Sequence, residues 1–220
     1  MTLDLRPLGA MLVTAIALGL TIVGIANADV LTAESTPALG IGAQEGTDVM
    51  KVDGGEVKCT SRDYEGTVHS SPSSQVRGKA KSKGCTFAGL AATVNMNECE
   101  YVTNFNATAG NTTLTQDVAC PSGKEITITA PSVGTAKCII HVPPQTGLGP
   151  GSAANAGAGT TREVTVSLNI TNIKYSQTAG TAETGNCATA DSTTGGTYTG
   201  SILFTAKNLA ETSHIGIFLS

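Results

Sequence analysis

The sequence contains no tryptophan, and only 4% of its residues are aromatic. Proteins that bind carbohydrates or single-stranded nucleic acids stack their ligands on aromatic side chains, so this composition disfavours both kinds of binding. Charged residues are also scarce, at 14% of the chain, and the formal net charge is −4. Because nucleic-acid phosphates are neutralised by clusters of Lys and Arg, we expect no nucleic-acid partner.

The motifs of familiar catalytic and cofactor sites are absent from the sequence as well. There is no GxSxG elbow, HExxH pair, Walker loop or dinucleotide fingerprint. The three histidines, His69, His141 and His214, are far apart, so a catalytic triad could only be assembled by the fold. We therefore expect that the protein is not an enzyme, has no catalytic residues and uses no cofactor.

The N-terminus has the features of a secretory signal peptide. Residues 1–7 carry a single cation, and they are followed by an apolar run from Leu8 to Ile25. Signal peptidases accept small side chains one and three residues before the cut, so Ala26 and Ala28 predict cleavage before Asp29 and a secreted, extracellular protein. The alternative is an uncleaved N-terminal anchor, because the apolar run is just long enough to span a bilayer.

All six cysteines lie after the predicted cut, and their number is even. Cysteines of an exported protein are oxidised, and no two of these have the CxxC spacing of a zinc-binding loop, so we predict disulfides and no metal site. Most cysteines fall in register with apolar residues, which predicts that they point inward. The cysteines are Cys59, Cys85, Cys99, Cys120, Cys138 and Cys187, and the pairing that we prefer is Cys59–Cys85, Cys120–Cys138 and Cys99–Cys187.

Short runs of alternating apolar residues, separated by Gly, Asn, Pro and Ser, predict an all-β fold. We expect an antiparallel β-sandwich cross-linked by disulfides, preceded by the signal helix. The predicted divisions are a signal peptide at 1–28, a flexible lead at 29–48, and a sandwich domain at 49–220 that contains a Gly/Ala-rich loop at 145–160. An alternative division makes 49–144 and 161–220 two small β units.

Two local features of the predicted strands can be tested directly. From Arg162 to Tyr175 the apolar residues alternate, but their phase shifts after Ile170, which predicts a β-bulge or bend near Thr171 or Asn172. A second feature is the Asn97-Glu98 pair, whose turn-forming residues predict a hairpin between the strands on either side.

Several sequence blocks carry a resemblance to known proteins. These are the blocks from Gly84-Cys85-Thr86 to Asn97-Glu98-Cys99-Glu100-Tyr101, Cys120-Pro121-Ser122-Gly123-Lys124-Glu125-Ile126, and Thr197-Tyr198-Thr199-Gly200-Ser201. Together they resemble a group of uncharacterised exported, cysteine-containing, β-rich proteins of soil-dwelling Gram-positive-type bacteria. The resemblance covers most of Glu56 to Lys207 and implies export and a β fold. It implies no particular activity.

Four cations, Arg77, Lys79, Lys81 and Lys83, recur at every second residue. On a strand they would line one face. One interpretation is a cationic surface that binds an anionic cell-wall polymer. The interpretation that we favour is an edge strand, whose charged side chains prevent pairing with a second molecule.

These observations leave three functional hypotheses. The first is an exported, non-catalytic structural or cell-surface-associated protein. The second is an extracellular binding module for an anionic cell-wall polymer or a small ligand. The third is a secreted hydrolase with an unrecognised site. The expected partners are a cell-wall polymer or another extracellular protein, with membrane contact only through an uncleaved signal segment.

Overall fold

The computed structural model of the chain describes residues 31–68, 73–108, 111–131, 137–179 and 190–220. The predicted signal helix and its cleavage residues Ala26, Ala28 and Asp29 lie outside the described residues, as does Cys187. The strands are β1 (Leu31–Ala33), β2 (Ala38–Val52), β3 (Gly55–Val68), β4 (Gln75–Phe87), β5 (Leu90–Asn95), β6 (Glu100–Thr108), β7 (Asn111–Ala119), β8 (Ile126–Pro131), β9 (Lys137–Val142), β10 (Gln145–Ala156), β11 (Glu163–Ala179), β12 (Ala190–Asn208), β13 (His214–Ile215) and β14 (Ile217–Leu219).

These strands form an antiparallel, all-β sandwich, as the alternating pattern predicts. β1 pairs with β14, and the other strands form one sheet in the order β13-β12-β2-β3-β4-β5-β8-β9-β11-β10-β7-β6. Two further pairings, β12 with β11 and β4 with β6, join distant parts of this order. The sheet therefore closes on itself and encloses the core.

The sheet closes at two long strands, β4 and β11, and each of them pairs with two different strands along one of its edges. Along one edge of β4, residues 75–78 pair with β6 and residues 85–87 pair with β5. Along one edge of β11, residues 163–168 pair with β10 and residues 176–179 pair with β9. The sheet branches at both strands, and the two branches enclose a space between them.

Tyr64 is at the centre of the closest packing in this sheet. Its ring meets the Phe204 ring edge to face, with the centroids 5.1 Å apart, and its hydroxyl donates to the Tyr101 carbonyl at 3.1 Å. A Cβ at Gly42 would lie 2.9 Å from the Tyr64 Cβ, and a Cβ at Gly78 would collide with the Tyr64 ring. Glycine on β2 and β4 thus leaves the room in which this large side chain is buried.

The predicted bulge in β11 is confirmed. Val164 and Ile170 lie on the buried face, and burial resumes out of phase at Ile173 and Tyr175. The register with β12 shifts between Ile170 and Ile173, and Asn172 has a φ of 61°, in the left-handed region that asparagine tolerates better than most residues. The extra residue keeps apolar side chains inside along the whole length of the strand.

The predicted flexible lead at 29–48 is wrong for its described part. β2 begins at Ala38 and pairs with β3 on one side and with β12 on the other. The segment has few large side chains because Ala38, Gly40 and Gly42 are themselves the buried positions. Small residues, which are typical of flexible linkers, here allow the strands to pack closely.

The predicted Gly/Ala-rich loop at 145–160 is also a strand for most of its length. β10 pairs with β7 and β11, and a Cβ at Gly151 would lie 2.5 Å from Leu114 and 2.9 Å from Leu168. Small residues let β10 fit between these leucines. The division into two β units is wrong as well, because β12 pairs with β2 from the other proposed unit.

Asn97 and Glu98 form a turn, but the predicted hairpin is wrong. Both residues have positive φ values, and the Cys99 amide donates to the Met96 carbonyl at 2.8 Å. However, β5 pairs with β4 and β8, whereas β6 pairs with β4 and β7. The turn therefore carries the chain from one branch of the sheet to the other.

Of the predicted disulfides, Cys59–Cys85 is confirmed, and the pairs Cys120–Cys138 and Cys99–Cys187 are wrong. Cys99 is bonded to Cys120. Glu100 lies opposite Ala119 at the end of the β6–β7 ladder, so the two cysteines are the next opposed residues. Cys138 is also disulfide-bonded. Strand register, which the sequence alone does not reveal, determines the pairing.

We expect the Cys59–Cys85 bond to stabilise the protein by about 3 kcal/mol, because it closes a loop with a sequence separation of 26 residues and restricts the unfolded chain. Urea unfolding of the Cys59→Ala/Cys85→Ala variant under non-reducing conditions measures this loss. Peptide mapping without reduction is expected to recover the Cys59–Cys85 and Cys99–Cys120 peptides. An unchanged unfolding midpoint, or recovery of a Cys120–Cys138 peptide, would contradict this account.

Candidate functional site

The structure places all four cations of the alternating motif on one face of β4. Arg77, Lys79, Lys81 and Lys83 are exposed, and the intervening positions 78 and 80 are buried. The strand period of two residues accounts for this arrangement. We call these four side chains the cationic row.

Acidic side chains of β3 lie directly across from the cationic row. Glu65 pairs with Lys79 and Asp63 pairs with Lys81 in the β3–β4 register. The Lys83 ammonium group lies 2.7 Å from the Asp63 carboxylate. The exposed surface is therefore of mixed charge, and such surface ion pairs contribute little to stability.

The edge-strand interpretation of the cationic row needs correction. β4 lies inside the sheet order, between β3 and its two partners β5 and β6. Residues 79–84, however, pair only with β3 among the described strands, because β6 ends its ladder at Gly78 and β5 begins at Cys85. Three lysines thus lie on a short open stretch of an otherwise paired strand, where charge discourages association with another strand.

A buried ionic cluster, which the sequence analysis missed, lies inside the sandwich. Asp48 is only 2% exposed, and its Oδ2 lies 3.2 Å from Nη1 of Arg62. The same Arg62 nitrogen donates to the Tyr198 hydroxyl at 2.8 Å, and Arg62 Nε donates to Ser82 Oγ at 3.1 Å. We call Asp48, Arg62 and Tyr198 the buried cluster.

Asp48 lies on the buried face of β2, beyond an irregular stretch of the strand. The register with β3 shifts between Ala43 and Asp48, and Gly46 in this interval has a φ of 79°. Asp48 shares the buried face of β2 with Gly40 and Gly42. Asp48 follows these glycines at an even spacing, which in a strand indicates a shared face. The sequence alone did not reveal this, because the segment before residue 49 was not predicted to be a strand.

The electrostatics of the buried cluster favour protonated forms. Burial raises the pKa of Asp48, and the nearby Arg62 guanidinium only partly offsets this effect. Burial also raises the pKa of the Tyr198 hydroxyl, which therefore stays protonated and keeps a proton to donate. An arginine remains charged, so the buried cluster contains one permanent cation and one titratable acid.

The carboxylate of Asp48 is under-satisfied. Neither of its oxygens accepts a hydrogen bond of good geometry from any described residue, and its partners are the Arg62 ion pair and the nearby Tyr198 hydroxyl, both of which lower the pKa of Asp48. Gly200 packs against both groups, since a Cβ there would collide with Asp48 Oδ1 and the Tyr198 oxygen. Buried acceptors without a donor are uncommon in folded proteins.

A cavity lies beside the buried cluster, between the branches of the sheet. Its volume is about 70 Å³. Its polar lining includes Asp48, Arg62, Tyr198 and Gln116. Most of the wall is apolar and includes Met50, Val57, Val118, Ile128, Ile170 and Ile202.

No group of three or more His, Cys, Asp or Glu side chains that could hold a metal ion occurs among the described residues. In the same part of the chain, no helix is long and apolar enough to cross a membrane. His141, which the sequence analysis left without a role, has its Nδ1 2.6 Å from Glu125 Oε1.

Comparisons with protein-family models, curated proteins and solved structures give no match.

We expect the two charged members of the buried cluster to differ in their effect on stability. Arg62→Met leaves a buried carboxylate without a counter-ion, so the free energy of unfolding at pH 7 falls by about 3 kcal/mol. Asp48→Asn lowers it by less, because burial already opposes the charged form of Asp48 and Arg62 keeps its hydrogen bonds to Tyr198 and Ser82. Urea unfolding of both variants measures the difference.

The pH dependence of the same variants supplies the control. Since the pKa of Asp48 is raised on folding, stability from this group is greatest at low pH and declines as the pH rises from the ordinary value through the raised value. Wild-type protein should show this decline relative to Asp48→Asn. The assignment is contradicted if the stability of the wild-type protein rises with pH relative to Asp48→Asn. It is also contradicted if the Asp48 carboxyl group titrates by NMR at or below its ordinary pKa.

Proposed function

We propose that this chain is an exported, non-catalytic structural protein that acts at or near the cell surface. The observation that carries the proposal is the closed sheet, in which β4 and β11 branch and rejoin through pairings with β6 and β12. A closed sheet leaves few strand edges free for association, so it suits a protein that must persist as a folded unit outside the cell.

The disulfides support the same proposal. Cys59–Cys85 links neighbouring strands β3 and β4, and Cys99–Cys120 links the ends of β6 and β7. Both bonds require oxidising surroundings, which exported proteins encounter. Together they cross-link two pairs of neighbouring strands, β3 with β4 and β6 with β7.

A second candidate function is binding of an anionic cell-wall polymer. The observation in its favour is the common exposure of the four cations on β4. The observation against it is the pair of acids on β3, which offsets part of their charge. Net positive charge remains on this face, so a weak and salt-dependent interaction is the form that such binding would take.

Native protein recovered from culture fluid tests the first proposal. We expect its N-terminus to be Asp29 and its mass to rise on reduction by one hydrogen for every cysteine. The oxidised protein should resist a protease that degrades the reduced protein, because unfolding exposes the cleavage sites. Recovery of the folded chain from the cytoplasm with free thiols would overturn the proposal.

Sedimentation with purified cell walls tests the second candidate. It predicts retention that falls steeply between low and high salt and that is lost in Lys79→Glu/Lys81→Glu/Lys83→Glu. The matched control changes Lys51, Lys124 and Lys174 to Glu, which alters the net charge equally at exposed positions outside the row. Equal retention of the two variants would remove the cationic row from consideration and leave the structural function alone.

A further inference from the structure

The cavity beside the buried cluster combines two features that point to a ligand. One is its volume of about 70 Å³, which is several times the roughly 10–15 Å³ that a single water needs. The other is the Asp48 carboxylate, which is 2% exposed, lines the cavity and accepts no well-formed hydrogen bond from a described residue.

We propose that this cavity binds a small neutral molecule with an apolar body and one hydroxyl group, such as a phenol or a cyclic alcohol. The hydroxyl would donate its proton to the Asp48 carboxylate. Its oxygen would accept from the Tyr198 hydroxyl, whose own oxygen already accepts from Arg62. The apolar body would lie against the aliphatic wall.

The charges of the site exclude the other obvious ligand classes. A protonated amine could pair with Asp48, but Arg62 Nη1 lies 3.2 Å from the same carboxylate and would repel it. An anion would be attracted to Arg62 but repelled by Asp48. A hydrocarbon would fill the space without offering a further donor to the buried carboxylate. A neutral hydroxyl group, which both donates and accepts, matches the site.

Phenol and toluene are suitable probes, since they have the same number of non-hydrogen atoms and differ in the hydroxyl group. Each is titrated into the full oxidised protein, with isoleucine methyl shifts as the readout. We expect saturable shifts at Ile128, Ile170 and Ile202, which line the cavity, and none at Ile215 and Ile217, which do not.

The affinity ratio of the two probes tests the role of the polar groups. A wholly apolar cavity would prefer toluene, because phenol loses its hydrogen bonds to water on entry. Through its bond to Asp48, phenol should instead bind about tenfold more tightly than toluene. In Asp48→Asn the acceptor loses its charge, and the preference for phenol should fall to about threefold or less.

Two further variants separate cavity binding from general surface association. Val94 lines the cavity but is only partly buried, so Val94→Phe can extend into the space with little strain and should abolish the shifts with both probes. Leu90→Phe on the same strand is the matched control, because Leu90 is 40% exposed and does not line the cavity. It should leave both affinities unchanged.

Three results would overturn the proposal. One is the absence of saturable shifts with either probe. Another is tighter binding of toluene than of phenol by the wild-type protein. The last is binding that persists unchanged in Val94→Phe. None of these results bears on export or on the structural function, which have separate tests.

Discussion

The packing of Tyr64 against glycine is the constraint on which the closed sheet depends. Its ring occupies the space that side chains at Gly42 and Gly78 would take, and it meets Phe204 edge to face. Strands β2, β3, β4 and β12 are thereby held together around one aromatic group. A core with few large side chains gains close contact in this way, because dispersion forces depend on short distances.

The same closure creates the interior that the polar groups occupy. When a sheet branches at β4 and β11, its two branches cannot come into contact everywhere, and the space between them becomes a cavity. Asp48 from β2 and Arg62 from the neighbouring β3 both line it and form an ion pair there. Burial of an ion pair costs solvation energy that the attraction between the charges only partly restores. Such a cost is more readily understood in a binding site than in a purely structural core.

Predictions from the sequence succeeded where a local period controls the structure. Alternation gave the strand from Arg162 to Tyr175, its phase shift gave the bulge at Asn172, and a two-residue spacing gave the exposed row on β4. They failed where small residues were interpreted as flexible. Gly42 and Gly151 are buried against large side chains of other strands, and composition alone cannot distinguish close packing from a linker.

By itself, the sequence determined the all-β class, the inward direction of most cysteines and the face on which the cations lie, because each depends on a spacing of two residues along one strand. Only the tertiary structure decided that Cys99 bonds to Cys120, that β5 and β6 belong to different branches, and that Asp48 lies beside Arg62. These depend on which strands pair and in what register. Strand pairing cannot be read from one strand, because backbone hydrogen bonds are the same whichever strand is the partner. Only the packing of the whole core selects one arrangement.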